Sequence, residues 1–322
     1  MLNVGGMVNT TEFRVGADAI LDIWNPGTEG TRAIADILVG SVNPSGKLAQ
    51  SFPQMYNDSP SIAMAKPGLA NTYNGANAYY DEVVLVGYRY FETNPDKYAS
   101  MVAFPFGYGL SYTSFEYSNF RLDKGVFDKS NPNDIVTASV NVTNTGSVAD
   151  KEVVQLYLGT NTWQAEGHPK NELKAYGKTE LLQPGEGEVV SLKLALRDLQ
   201  YYDDGNPTQF VPDAPAYTTT YGNGTGWTVV DGTELTVMVR TNSANGDAPN
   251  TAFDGLTDTL VYGEPASQSF RVSFDLNYVG AVGAPAAQTI AFNQFAAAPQ
   301  SPERAGSVFL GWSADRDSLA GA

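Results

Sequence analysis

Four short segments in the middle of the chain alternate apolar and polar residues with a period of two. They occupy residues 135–142, 152–158, 189–196 and 235–239. A period of two places successive side chains on opposite faces of a strand. Turn-forming residues such as Gly146 and Pro184 separate the segments. Several short strands spaced in this way predict a β-sandwich. Within it, residues 203–226 and 242–265 are rich in Gly, Asn, Asp, Pro and Thr, and are interpreted as long loops or a linker.

The residues before the sandwich follow a different pattern, in which an apolar segment precedes a loop and a helix. Residues 17–22 read ADAILD and predict a short buried strand, and residues 24–30 read WNPGTEG and predict a loop. A helix is predicted over 31–39, because apolar residues recur at helical spacing and Gly40 ends the pattern. This order indicates part of an α/β layer, in which ligand sites collect beyond the carboxyl ends of strands.

The fold class is therefore predicted to be multidomain, α/β plus all-β. We expect a partial α/β sandwich layer at 1–114, a β-sandwich with long loops at 115–265, and a small β-rich segment at 266–322. The 32 glycines and 18 prolines suit a turn-rich, strand-rich protein better than a helical bundle. We expect the sandwich to fold independently, and residues 1–110 not to form a stable domain by themselves.

Charge and composition exclude several classes of partner and site. The net charge of −16 opposes binding to nucleic acid and to anionic membranes. No apolar stretch approaches the roughly 20 residues that span a bilayer, so no membrane span is predicted. The chain has no cysteine, which excludes disulfides and thiolate zinc sites. His168 is the only histidine, so we predict no metal and no cofactor.

Three blocks of sequence in the first 115 residues carry a family resemblance. They are ADAILDIWNPGTEGTRAIADILVGSVNPSGKLAQSFP at 17–53, VGYRYF at 86–91 and FPFGYGLSYTSF at 104–115. In order and spacing they resemble glycoside hydrolase family 3. The sandwich, through residues 141–159 and 169–186, resembles the fibronectin type III-like domain of that family. The resemblance implies a retaining, β-glucosidase-like enzyme that hydrolyses terminal β-linked sugars from oligosaccharides or glycosides.

The same resemblance implies that catalysis requires more than this chain. Family 3 enzymes carry a nucleophilic Asp on a (β/α)8 barrel, usually within a Ser-Asp-Trp or similar motif, and the sequence contains no such motif. We expect the barrel to lie on a missing segment or on a separate chain, and this chain alone to be inactive. The alternative is a non-catalytic cell-surface or carbohydrate-binding module derived from such an enzyme.

Glu29 is the residue to which the resemblance assigns catalysis. A retaining glycosidase needs two carboxyl groups about 5 to 5.5 Å apart, one as nucleophile and one as general acid/base. In many family 3 β-glucosidases the acid/base is the Glu of a Gly-x-Glu-x-Gly-like loop, and Glu29 in WNPGTEG is similar to it. The alternative is that Glu29 lies in the first turn of the helix, where its negative charge favours the macrodipole.

Aromatic residues supply the candidate substrate contacts. Trp24 is predicted to bind substrate by stacking on a sugar face, and the alternative is that it is the buried end of a strand. A second group of aromatic residues is interpreted as core or interdomain packing rather than as a sugar platform. Its members are Tyr88, Tyr90, Phe91, Phe104, Phe106, Tyr108 and Tyr112.

The end of the chain carries a second resemblance. Residues 270–312, through VSFDLNYVGA and GSVFLGW, are similar to a truncated B-repeat of internalin-type surface proteins. This resemblance implies cell-wall association and a location that is extracellular or at the surface of a Gram-positive-like bacterium. The opening residues MLNVGGMVNTTEF do not have the pattern of an export signal. Any export signal would have to lie on a missing amino-terminal portion, and the alternative location is the cytoplasm.

Overall fold

The computed structural model describes most of the first 203 residues and several segments beyond them. The described residues are 1–59, 84–93, 98, 100–159, 169–203, 226–228, 234–244, 256–263, 269–272 and 285–291. The chain divides into two compact units, Met1–Tyr262 and Gly263–Ala322. Each unit is considered by itself.

The first unit begins with short elements and continues with strands. Its amino-terminal elements are a 3-10 helix at Arg14–Gly16, α1 at Gly30–Leu38, β1 at Phe52–Pro53, a 3-10 helix at Tyr56–Asp58, α2 at Tyr88–Thr93 and β2 at Val102–Phe104. Its later elements are β3 at Phe115–Leu122, β4 at Val126–Asp128, β5 at Ile135–Asn144, β6 at Val153–Gly159, β7 at Asn171–Lys178, β8 at Gly187–Ala195, α3 at Leu196–Leu199, β9 at Tyr201–Asp203, β10 at Gly226–Thr228, β11 at Glu234–Arg240 and β12 at Leu256–Gly263.

Two facing sheets form the β-sandwich that the alternating pattern predicts. One has the strand order β4-β12-β11-β6-β7 and the other has the order β3-β5-β8. Burial alternates along β5, as expected for a strand with one face on a core and the other towards solvent. The core residues that are fully buried include Phe127, Val136, Val142, Leu156, Leu158, Leu194, Leu235 and Leu260. The predicted fold class of α/β plus β-sandwich is confirmed.

One strand of the larger sheet lies where the sequence predicts a long loop or linker. Residues 256–263 form β12, which pairs antiparallel with β11 in a ladder that includes Leu235 opposite Leu260. The loop interpretation of these residues is therefore wrong. Three consecutive residues, 257–259, are polar and exposed, so the segment has the composition of a loop. The ladder to β11 and the burial of Leu260 override that local preference.

In the amino-terminal part, residues 1–114, the predicted strand before the loop does not form over its full length. The expected buried strand at 17–22 forms a single parallel bridge, between Leu2 and Asp22, and residues 17–19 are exposed. A strand requires a partner of comparable length, and here the partner segment supplies one bridge only. The helix prediction is confirmed by α1, which is followed by Gly40 at a φ of +76°, a conformation that glycine adopts without strain.

Most of the VGYRYF block lies in the helix α2. Within α2, residues Tyr90, Phe91 and Glu92 are buried. The Tyr88 ring stacks on Phe106 at a centroid distance of 4.6 Å and meets Tyr157 of β6 edge-on at 6.2 Å. The interpretation of these aromatic residues as core or interdomain packing is therefore confirmed for Tyr88 and Phe106.

In the second unit, strands β13 at Ser269–Val272 and β14 at Gln288–Ala291 pair antiparallel. Most of the predicted B-repeat at 270–312 lies outside the described residues, as does His168. Among the helices that the structure describes, none has both the length and the apolar character needed to cross a membrane.

Candidate functional site

The predicted catalytic loop begins directly after the parallel bridge at Asp22. The Trp24 amide N–H donates a hydrogen bond to Asp22 Oδ1 at 3.1 Å, and Trp24 adopts a left-handed backbone with a φ of +48°. A non-glycine residue in this region is strained, and such strain is concentrated at functional sites and turns. The loop therefore has a defined conformation at its start, at the carboxyl end of the parallel pair.

The loop ends in a close contact between Pro26 and Gly30. A Cβ atom on Gly30 would lie 2.3 Å from Pro26 Cβ, so the proline ring occupies the space that any larger residue needs. The Gly30 amide donates to the carbonyl of Gly27, which has a φ of +70°. The two glycines and the proline of WNPGTEG are thus explained by one tight turn into α1.

Glu29 is the residue immediately before α1, and its side chain is exposed. Its carbonyl accepts hydrogen bonds from the amides of Arg32 and Ala33 at 3.1 and 3.3 Å. Within the part of the chain that the structure describes, no residue makes a hydrogen bond or ion pair with the Glu29 carboxylate. A carboxylate at this place interacts favourably with the helix macrodipole. The backbone position of Glu29 therefore agrees with the alternative role at the head of the helix, and its catalytic role stays a prediction.

Trp24 is half-buried, and its ring contacts a second aromatic ring. The ring lies 6.1 Å from the buried ring of Phe52, at an interplanar angle of 60°. Trp24 therefore contributes to packing and keeps part of its surface open to solvent. The structure places Trp24 and Glu29 in the same loop. Substrate binding by Trp24 stays a prediction.

A buried ion pair that sequence reasoning did not identify lies between the amino-terminal part and the sandwich. Lys47 Nζ is 3.2 Å from Glu152 Oε1, with side chains only 12% and 3% exposed. The Tyr117 hydroxyl donates to the same carboxylate oxygen at 2.9 Å. Burial, and then the charge of Glu152, raise the pKa of Tyr117 well above 10, so the hydroxyl remains a donor at neutral pH. In the sequence, Lys47 and Glu152 resemble ordinary surface charges.

A second buried polar group surrounds Gln155 of β6. Its Nε2 donates to the carbonyls of Gly107 at 3.0 Å and Thr241 at 2.7 Å. The Tyr157 hydroxyl donates to Gln155 Oε1 at 2.7 Å. Both polar atoms of this carboxamide, Oε1 and Nε2, thus have protein partners, as a buried amide requires. Gln155 therefore joins the FPFGYG segment to the end of β11.

The described residues contain no group of three or more His, Cys, Asp and Glu side chains that could hold a metal ion. The site residues that the structure places in one region are Trp24, in the loop before α1, and Glu29, at the start of that helix.

Comparison with known proteins identifies two domains. Residues 1–112 match the glycosyl hydrolase family 3 C-terminal domain, and residues 152–243 match the fibronectin type III-like domain. Beta-glucosidase A of Butyrivibrio fibrisolvens is 41% identical over 216 residues, which are 63% of this chain and 25% of that protein. An exo-alpha-(1->6)-L-arabinopyranosidase of Bifidobacterium longum is 36% identical over 204 residues, again 63% of this chain and 25% of that protein.

A solved structure agrees with these matches. The structure of beta-glucosidase 3B from Thermotoga neapolitana in complex with alpha-D-glucose has a TM-score of 0.61 and 35% identity, and covers 81% of this chain and 30% of that chain. The chain thus contains a family 3 C-terminal domain and a fibronectin type III-like domain, as the resemblance implied. It spans about a quarter of the length of the curated relatives. The B-repeat resemblance stays a prediction.

Proposed function

We propose that this chain is the carboxyl-terminal part of a retaining β-glycosidase that removes terminal β-linked sugars from oligosaccharides or glycosides. The observation that carries the proposal is the order of the two matched domains, at 1–112 and 152–243, within one compact unit, Met1–Tyr262. Proteins named as β-glucosidases match 63 to 81% of this chain at 35 to 41% identity. The nucleophilic Asp would lie on the (β/α)8 barrel portion, outside these 322 residues.

In this proposal Glu29 acts as the general acid and then as the general base. The barrel carboxylate attacks the anomeric carbon while Glu29 donates its proton to the departing glycosidic oxygen. In the second step Glu29 removes a proton from the attacking water, and the glycosyl-enzyme bond breaks with net retention. A catalytic acid is usually held protonated by burial. Because Glu29 is exposed, the barrel portion would have to cover it.

Glucose is the sugar that we propose for the substrate. Two features support it: the GTEG and FPFGYGLSYTSF blocks resemble the β-glucosidase branch of the family, and several similar proteins are named for that activity. One relative is named an exo-alpha-(1->6)-L-arabinopyranosidase, so the part shared with this chain accompanies more than one specificity. The subsite that selects the sugar would then be built largely by the barrel portion.

The proposal is tested by sequencing the DNA upstream and by assaying activity with and without that region. We expect an in-frame barrel with its nucleophile Asp, and release of p-nitrophenol from an aryl β-glucoside only when the barrel is present. A matched control replaces the barrel Asp by Asn. Turnover by this chain alone, on the order of 1 to 1,000 per second, would refute the proposal. Binding of cellobiose by the chain, with no barrel encoded upstream, would support the non-catalytic module instead.

A further inference from the structure

The segment that follows α1 is connected by one asparagine to residues 111–112, which lie just before the sandwich. The Asn43 carboxamide oxygen accepts hydrogen bonds from the Tyr112 amide at 2.8 Å and the Ser111 hydroxyl at 3.1 Å. The Ser111 hydroxyl also contacts the carboxylate of Asp150. The Tyr112 hydroxyl donates to the carbonyl of Ile37 at 3.1 Å, in the last turn of α1. This helix is thereby connected to the end of the amino-terminal part, and the contact between Ser111 and Asp150 links that end to the sandwich.

The buried pair Lys47–Glu152 adds a charged contact to the same interface. Lys47 Nζ also donates to the carbonyl of Gly109 at 2.9 Å, so its ammonium group has two partners. A buried ion pair is not strong evidence for net stability, but removing one partner leaves an uncompensated buried charge. Lys47 precedes the sandwich in the chain and Glu152 lies within it. Separating the two parts would therefore leave each charge without its oppositely charged partner, although Lys47 would keep the Gly109 carbonyl and Glu152 the Tyr117 hydroxyl.

A third set of contacts involves α2 and the end of β11. The Ser243 amide donates to the carbonyl of Phe106 at 2.9 Å, and its hydroxyl donates to Glu92 Oε1 at 3.0 Å. Gln155 bonds to the Gly107 and Thr241 carbonyls, one from each part. These groups are buried. If one partner is removed, the other is left without a hydrogen bond, because water reaches it only when the interface opens.

We propose that the amino-terminal part and the sandwich form one cooperative folding unit, joined through an obligate interface that includes the Lys47–Glu152 pair. The interface consists of residues 43–48 and 106–112 on one side and 149–155 and 241–243 on the other. This proposal replaces the expectation that the sandwich folds independently. It does not depend on the glycosidase proposal. The fibronectin type III-like domain is then a structural component of the neighbouring domain rather than an appendage.

Hydrogen exchange of the full chain tests the proposal by comparing amides in the two parts. In the amino-terminal part, the Leu48 and Gly107 amides bond to the carbonyls of Tyr108 and Leu48. In the sandwich, the amides of β5 and β6 serve as reporters. We expect Glu152→Gln to accelerate exchange by the same factor in both sets, about 100-fold, because Lys47 loses its charged partner.

The control is the pair Lys151–Glu180, which has the same 3.2 Å separation but is 39% and 87% exposed. Glu180→Gln should change exchange by less than about threefold, since exposed pairs contribute little. If Glu152→Gln prevents folding, Tyr117→Phe provides a milder test, because it removes only the hydroxyl donor. It should accelerate both sets of amides equally, about tenfold. Acceleration confined to one set, or no change in either, would overturn the proposal.

Discussion

Replacing Gly107 by Ala should destabilise the protein by an amount that the structure defines. Gly107 has a φ of +78°, and a Cβ atom there would lie 2.1 Å from Gln155 Oε1 and 2.7 Å from its Nε2. The substitution therefore has two costs. The backbone is strained, and the carboxamide that bonds to Gly107 and Thr241 must move.

The two costs can be estimated separately. A left-handed backbone costs a non-glycine residue about 1 to 2 kcal/mol. Displacing Gln155 leaves buried carbonyls without a donor, and each unsatisfied group costs about 1 to 3 kcal/mol. With partial relaxation, we expect Gly107→Ala to lower the free energy of unfolding by about 3 to 5 kcal/mol.

Gly185 provides a matched control for the cost of the left-handed backbone. Its φ is +81°, nearly the same as that of Gly107, but a Cβ atom on it would meet no atom within 4 Å. Gly185→Ala should therefore cost only the strain, about 1 to 2 kcal/mol. Urea unfolding of the full chain, followed by circular dichroism, gives the free energy of unfolding for each variant.

The difference between the two variants isolates the contact with Gln155. We expect about 2 to 3 kcal/mol, which corresponds to a difference of roughly 4 to 12 °C in melting temperature for a unit of this size. If both variants lose the same stability, Gln155 moves at no cost, and its two carbonyl contacts do not hold the parts together. That result would also weaken the proposed cooperative interface.

Two further predictions concern chemistry and pH. In an enzyme that includes the barrel, Glu29→Gly should slow cellobiose hydrolysis by a factor of about 100 to 10,000. With a dinitrophenyl glucoside, formation of the glycosyl-enzyme should keep its rate, because this leaving group needs little protonation. Added azide should restore turnover and yield β-glucosyl azide. Equal loss on both substrates without azide rescue would assign Glu29 to the helix terminus. Burial raises the pKa of Tyr157 well above 10, so its contribution to stability is complete below pH 10 and is lost as pH rises above that value. Tyr157→Phe should therefore flatten the decline of unfolding free energy above pH 10, measured by urea titration at several pH values, and an unchanged slope would contradict this.

The strands of the sandwich were predictable because each satisfies a local rule. In β5 the alternation of apolar and polar residues matches the alternation of burial, so the sequence alone indicates the buried face. The helix α1 was likewise indicated by its spacing and by Gly40. Strand β12 was not predictable in this way. Its polar residues 257–259 suit a loop, and it becomes a strand only because β11 provides a ladder of partners.

The loop that carries Glu29 shows the limit of sequence reasoning at a site. Its turn was predictable, since Pro26 and the glycines have conformational requirements that any chain must meet. The role of the Glu29 carboxylate was not predictable, because catalysis depends on the groups that face it. Its side chain is exposed, and among the described residues none contacts the carboxylate in a way that would define its function.

The buried contacts between the two parts show why residue type alone does not reveal an interface. Lys47 and Glu152 are 105 positions apart, and nothing in PSGKL or DKEVV distinguishes them from solvated charges. The glycines of FPFGYG do indicate a close contact, but only the structure shows which segments they contact. A Cβ atom on Gly107 would meet Gln155, and one on Gly109 would lie 2.3 Å from the carbonyl of Gly46. Both glycines are therefore required by close approach to segments far away in the chain. The glycine pair that precedes Leu-Ser-Tyr is thus best interpreted as a mark of close packing, at Gly107 against the sandwich and at Gly109 within the amino-terminal part, and the charges around it are the residues to test first.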